Sequence, residues 1–309
     1  LSTSEGGVIT YSAQLTSQQV LSSAAAHLDT ALTFLTESDT SAVSLLNAAK
    51  ITKGRVLVDL GQFAAGASAV AGVQTSFAYR EMFNLTSGDN IIWQVNTSNR
   101  RMVVGDSVAQ VTDGTTVFTI ANAIPFAQAR DPRVPVTGTT LGTSPLGKGN
   151  DTKTNVVLQG IWTGRSDAVN IVSGLDARLI EAEAALNAND LATMTSILNA
   201  LRASPPALSA SLTPAALAPL AVPATKDAAV SLFFREKAFW TFGRGQRFGD
   251  LRRLVRQYGR TQAQVYPAGT FFRSSTPYGS DMVLEIPIGE SNNPLVKANG
   301  SSYCLDKTP

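Results

Sequence analysis

The chain has 309 residues, 44% of them apolar and only 16% charged, with a net charge of +2. It is long enough to bury a large core, and so few charges leave Ser, Thr, Asn and Gln to cover its surface, which suits an extracellular protein better than a cytosolic one. One cysteine, Cys304, and one histidine, His27, exclude a disulfide framework, a Cys-based zinc site and a multi-histidine metal centre. A Ser-His-Asp triad would have to be built on His27, whose alanine-rich helical setting instead predicts packing against a neighbouring helix.

The chain opens at Leu1 with no charged and apolar leader, and no apolar run reaches the length of a membrane span. The reading is that the N-terminus has been removed or that only part of the protein is given. Residues 1–17 are polar and rich in Gly, Ser and Thr, a loosely held lead-in. From Gln18 to Leu35, positions Leu21, Ala24, Ala25, Leu28, Ala31, Leu32 and Leu35 form an apolar stripe of helical period.

Asn47 to Val73 reads as helix, tight turn and helix. Gly54 and Gly66 stand twelve residues apart on facing sides of the turn at Leu60, Gly61, Gln62 and Phe63. Small residues let two antiparallel helices approach closely, and an aromatic at the turn plugs the end of the pair, as in tetratricopeptide-type hairpins. A second hairpin runs from Gly174 to Ala203, with its turn at Asn187 to Asp190 and with Ala182 and Met194 facing each other. Two such units need other helices to cover their faces, and 18–35 and 228–258 are the helices available.

Residues 84–167 are rich in β-branched and turn residues and predict short strands with long ordered loops, at Asn90 to Val95, Arg101 to Val104 and Thr115 to Ile120. The five prolines of 204–225 predict a connecting loop. From Ala228 to Arg260 two helical patterns meet at Gly243, Gly245 and Gly249. In the second, Leu251, Leu254, Val255 and Tyr258 fall at i, i+3, i+4 and i+7, with Arg252, Arg253, Arg256 and Arg260 facing elsewhere and Asp250 at the N-cap position. Seven arginines and Lys237 oppose only Glu236 and Asp250 here. Such a helix is a candidate for nucleic acid or an anionic membrane. Its interleaving with Phe, Trp and Gly, and the lack of a basic tail, predict instead a buried polar junction and no nucleic acid.

This segment carries a resemblance. The run from Arg235 and Glu236, through Gly245, Gln246 and Arg247, to Asp250, Leu251, Arg252 and Arg253 resembles the C-terminal signature of the SusD/RagB family, with Gln246 in place of the usual histidine. Asp131-Pro132-Arg133, the run A-R-L-I-E-A-E-A-A-L at 177–186, and Ile286, Pro287, Glu290, Asn293 and Pro294 in the tail are similar to further segments of that family. The resemblance implies a mainly α fold: tetratricopeptide-like hairpins packed into a single domain over 1–309, with a loop-rich insertion containing short β-strands. Its regions are 18–80, the insertion 84–167, the second hairpin and signature helices 168–260, and an extended tail 261–309. Family members are usually about half as long again, and the lipid-bearing N-terminal cysteine and first helices are not found here, so the N-terminal part is expected to be missing.

The resemblance implies capture of a glycan at the outer membrane of a Gram-negative cell, facing outside, beside a TonB-dependent outer-membrane transporter, with no catalysis and no cofactor. The alternative is a processed extracellular structural protein that self-associates into a filament or surface layer. An intracellular tetratricopeptide adaptor is a third reading. Glycan recognition needs flat aromatic faces and a few polar groups, and the loops offer Trp93 with Asn96, Trp162 with Arg165, and Tyr278. Glu181 and Glu183, two apart on one helix, point to different faces and cannot flank one glycosidic bond. Glu285 and Glu290 show no supporting partner. The glycine-rich GRGQRFGD lacks the Lys-Ser/Thr of a phosphate loop. Sequons at Asn84, Asn96, Asn150 and Asn299 fall in expected loops and are candidates for glycosylation.

Overall fold

The computed structural model describes residues 15–35, 42–110, 116–271, 276–279, 282–283 and 292–299, together with the backbone of 2–5 and 8–11. Ile286, Pro287, Glu285, Glu290 and Cys304 lie outside the described residues, as does the side chain of Asn299. Among the described residues the architecture is mainly α. The expected lead-in is instead a two-stranded antiparallel hairpin, β1 (Ser2–Glu5) with β2 (Val8–Tyr11). Val8, Ile9, Thr10 and Tyr11 are all β-branched or aromatic, strand chemistry that a count of polar residues overlooks.

Helix α1 (Ser17–Phe34) starts at a capping box, in which Thr16 and Gln19 satisfy each other's amides. The seven predicted stripe positions, Leu21 to Leu35, are its half-buried ones, and they lean on α2 (Val43–Asp59). His27 lies on the opposite, exposed face rather than against a neighbour. Helix α2 turns into α3 (Phe63–Ala69) through Gly61, whose φ of 78° is open to glycine without strain. The two glycines meet as their spacing predicts: a Cβ on Gly54 would stand 3.1 Å from the carbonyl oxygen of Gly66, and one on Gly66 would stand 3.0 Å from that of Gly54. Phe63 is buried at the turn, edge-on to Tyr258 at 6.3 Å.

Helices α5 (Gly174–Asn187) and α6 (Leu191–Ala203) form the second hairpin, and both Ala182 and Met194 are fully buried in the main core. Asp190 caps α6 by accepting from the Thr193 amide. Helix α7 (Lys226–Trp240) adds Phe233, Phe239 and Trp240 to that core, each removing roughly 1.5–3 kcal/mol of apolar surface from water. Residues 204–225 form no helix, as their prolines require.

The insertion is built from strand pairs, β4 (Val108–Gln110) with β5 (Val117–Thr119) and β6 (Val136–Gly138) with β7 (Val157–Gln159). A third pair, β3 (Ala78–Glu81) with β8 (Val169–Ser173), joins the segments that flank the insertion and leads into α5. The expected strand at Asn90 to Val95 is helical: α4 (Ile91–Trp93) continues into a π turn over Gln94–Ser98. Asn90 decides it, because its side chain accepts from the amides of Ile92 at 2.9 Å and Trp93 at 3.1 Å and so nucleates the turn. Arg101 to Val104 is not a strand either.

Candidate functional site

Helix α8 (Arg247–Arg256) begins three residues before the expected N-cap. Asp250 therefore lies within the first turn, buried, where it accepts from Lys237 Nζ at 2.7 Å instead of capping free amides. The helix presents Leu251 and Leu254 to the core with Val255 and Tyr258 beside them, as its period predicts. Of the arginines expected to face away, Arg253 does the reverse. It is buried and forks onto Glu183 of α5, which also accepts from Tyr258 Oη at 2.8 Å. Gln257 donates to the carbonyls of Val58 and Asp59, each at 2.9 Å, and so closes the C-terminal end of α2.

Two further ion-pair centres join this one. Arg244 binds Asp176 at 2.6 Å and Gln246 donates to the same carboxylate at 2.9 Å, fastening the glycine-rich turn to the start of α5, where Asp176 completes the capping box with Ser173. Arg133 is 1% exposed; it bridges Asp131 and Glu236 with contacts of 2.7 Å to each and stacks over Phe239 and Trp240. Arg202 of α6 completes the set, donating to both oxygens of Glu236 at 2.9 Å. The signature segment thus ties α2, α5, α6, α7 and the insertion together through buried charge. Arg235 is the exception, exposed with its guanidinium over the Phe239 ring, and Arg252 donates to the Met282 carbonyl.

Burial alone would raise the pKa of Asp131, Asp176 and Glu183. It is outweighed by Arg133 at the first, by Arg244 and Gln246 at the second, and by Arg253, Lys237 and Tyr258 at the third, so all three titrate below the ordinary carboxylate range. A folded pKa below the unfolded one means that the unfolded chain takes up protons first as the pH falls. The stability from these groups is complete well above about pH 4 and is lost as the pH drops through the lowered folded values. The melting temperature is therefore expected to stay level from neutral pH to about 5 and to fall steeply below about 4. In Glu183→Gln it should start lower and fall less steeply; an unchanged acid slope would remove Glu183 from this account.

Beside the clamp lies a cavity of about 380 Å³ between the insertion, α8 and the segment after it. Its wall is apolar, with Val104, Val108, Ile124, Phe126 and Leu251, and Arg247 and Tyr278 also line it. The polar side chains of the insertion wall are engaged already: Asn122 donates to the carbonyls of Ala263 and Tyr266, and Asn155 donates to that of Gly142.

The predicted ligand residues divide between core and surface. Trp162 is 1% exposed and packs on Gly243, where a Cβ would come within 2.9 Å of its ring, so it is core and presents no face to a ligand. Asn96 is also buried. Its amide donates to the carbonyls of Met102 and Val157 and its oxygen accepts from Gln159, which leaves nothing for a ligand and no room for an attached glycan. Trp93 is half-buried and Arg165 is exposed, paired with Asp89 at 2.7 Å. Asn90 links their two turns by donating to the carbonyls of Arg165 and Asp167, each at 2.7 Å. Tyr278 stands apart from these, in the cavity wall, edge-on to Phe271. Asn84 and Asn150 are exposed in loops.

Sequence reasoning did not single out Arg133, Asp176, Arg202 or Arg244 as clamp residues, and it weighed Glu183 only as a catalytic acid. The signal for Glu183 was present: Leu179, Glu183 and Leu186 fall at i, i+4 and i+7, which puts a carboxylate on an apolar stripe and demands a cationic partner. Among the described residues no cluster of His, Cys, Asp and Glu is placed to hold a metal ion, and no helix is long and apolar enough to cross a membrane.

No family model matches the chain, and no curated protein matches it. Among solved structures it is similar to a SusD-like protein from Bacteroides fragilis, with 13% identity and a TM-score of 0.49, over 90% of this chain and 67% of that one. It is also similar to a SusD superfamily protein from Bacteroides vulgatus, with 15% identity and a TM-score of 0.45, over 82% of this chain and 65% of that one. The chain spans about two thirds of the length of each.

Proposed function

We propose that this chain is a non-catalytic capture protein of SusD type, which takes up a glycan at the outer-membrane surface and passes it to a TonB-dependent transporter. The observation that carries the reading is the inward-turned signature segment. Its Arg253 and Arg244 are spent on Glu183 and Asp176, and its Glu236 on Arg133 and Arg202, inside the scaffold, so the segment that resembles the family acts as a structural clamp more than as a basic surface for nucleic acid or lipid. Arg253 and Arg244 hold Glu183 and Asp176 below the ordinary carboxylate range, which suits those two poorly to proton transfer.

A rigid helical body of this kind supports recognition on the loops above it. The half-buried Trp93 and the exposed Arg165 stand on turns that Asn90 joins, and they are the aromatic and the polar group this reading assigns to a sugar. Glycan arrays followed by calorimetry test the reading. A glycan should bind, Trp93→Ala should weaken it about tenfold or more, and pull-down from outer membranes should recover a large β-barrel. An array with no bound glycan, together with a pull-down lacking any β-barrel, would end it.

A further inference from the structure

The cavity beside α8 differs chemically from the Trp93 edge. A sugar placed in it would bury hydroxyls against valine, isoleucine and phenylalanine, at a cost of roughly 1–3 kcal/mol for each one left without a partner. Few partners are on offer. Asn122 and Asn155 are committed to backbone carbonyls, and Asp106, the acidic group of the wall, accepts from the Ser107 amide at 2.8 Å and the Thr140 hydroxyl at 3.0 Å.

Among the described residues, Arg247 is the charged group of the wall without a partner. It makes no hydrogen bond or ion pair with any described residue, whereas Arg133, Arg202, Arg244 and Arg253 each hold a carboxylate. It is also badly placed for a cation. It occupies the first position of α8, where the helix dipole repels positive charge, and burial disfavours its charged form and lowers its pKa, with only Asp250 acting against that. Asp250 is already occupied by Lys237 and Arg253. An anion in the cavity would meet the unpaired guanidinium and the positive end of the helix together, and Tyr278 stands in the same wall.

We propose that this cavity binds an amphiphilic monocarboxylate, with its hydrocarbon body against Val104, Val108, Ile124, Phe126 and Leu251 and its carboxylate on Arg247. This site is separate from the glycan edge and does not depend on it. The test is calorimetry on the full chain with decanoate, 1-decanol and decylamine as probes. Decanoate should bind, and Arg247→Met should weaken it about tenfold or more, the range of a lost charge-assisted hydrogen bond, while leaving decanol unchanged. Arg247→Lys should restore part of the loss. Val108→Phe, which fills the cavity from the insertion side, should abolish both ligands while the circular dichroism spectrum and thermal melt stay those of the parent. The proposal is overturned if decanoate fails to bind the parent chain, if it binds Arg247→Met equally well, or if decylamine binds more tightly, which would assign the site to Asp106. None of these outcomes bears on glycan binding by Trp93, so the two readings stand or fall separately.

Discussion

Arg133→Met is expected to lower the unfolding free energy by about 3–5 kcal/mol, the cost of removing one partner from a buried ion pair. Methionine keeps much of the apolar volume over Phe239 and Trp240, so the loss isolates charge from packing. What remains behind is Asp131 and Glu236, two carboxylates facing only Arg202. Arg133→Lys should fall between the two, because an ammonium cannot fork onto both carboxylates while stacking flat on two rings. Urea denaturation with a constant m-value is the measurement. A loss below about 1 kcal/mol for Arg133→Met would mean that the three ion-pair centres do not act as one clamp.

That clamp also shows where the sequence was legible. Apolar period is a local property, so the stripe of α1, the Gly54 and Gly66 contact and the buried face of α8 could all be read in advance. The partners of the signature arginines could not, because Glu183 and Asp176 lie some seventy residues upstream of Arg253 and Arg244, and no spacing rule spans a tertiary contact. Asp250 failed for a related reason. A carboxylate ahead of a helical pattern has two good uses, capping or pairing, and Lys237, packed alongside from α7, decides in favour of pairing. Trp162 and Asn96 failed because a polar, loop-rich stretch looks exposed, whereas this insertion folds its own small core around Val104 and Val157, where Asn96 donates to the Val157 carbonyl, and sends Trp162 into the main core.

Gly174→Ala should cost about 3 kcal/mol, at the upper end of overpacking substitutions, although it changes one hydrogen for a methyl. The added Cβ would lie 2.0 Å from the Gln74 carbonyl oxygen and 2.6 Å from the Thr75 Cα, and both are backbone atoms. Neither can rotate away, and the Gly174 amide holds the strands together by donating to the Phe77 carbonyl at 2.8 Å. Gly54→Ala is the informative comparison. There the nearest atom, 2.6 Å away, is a side-chain methyl of Val70, and the nearest backbone atom, the Gly66 carbonyl oxygen, stands 3.1 Å away, while alanine recovers about 1 kcal/mol of helix propensity over glycine. The net loss at Gly54 should therefore be about 1 kcal/mol. Parallel urea titrations of the two variants decide it: equal losses, or a larger loss at Gly54, would contradict the backbone-to-backbone contact at the start of α5. A loss in the expected order would mark the start of α5, where Asp176 anchors the Arg244 turn, as less deformable than the contact between α2 and α3.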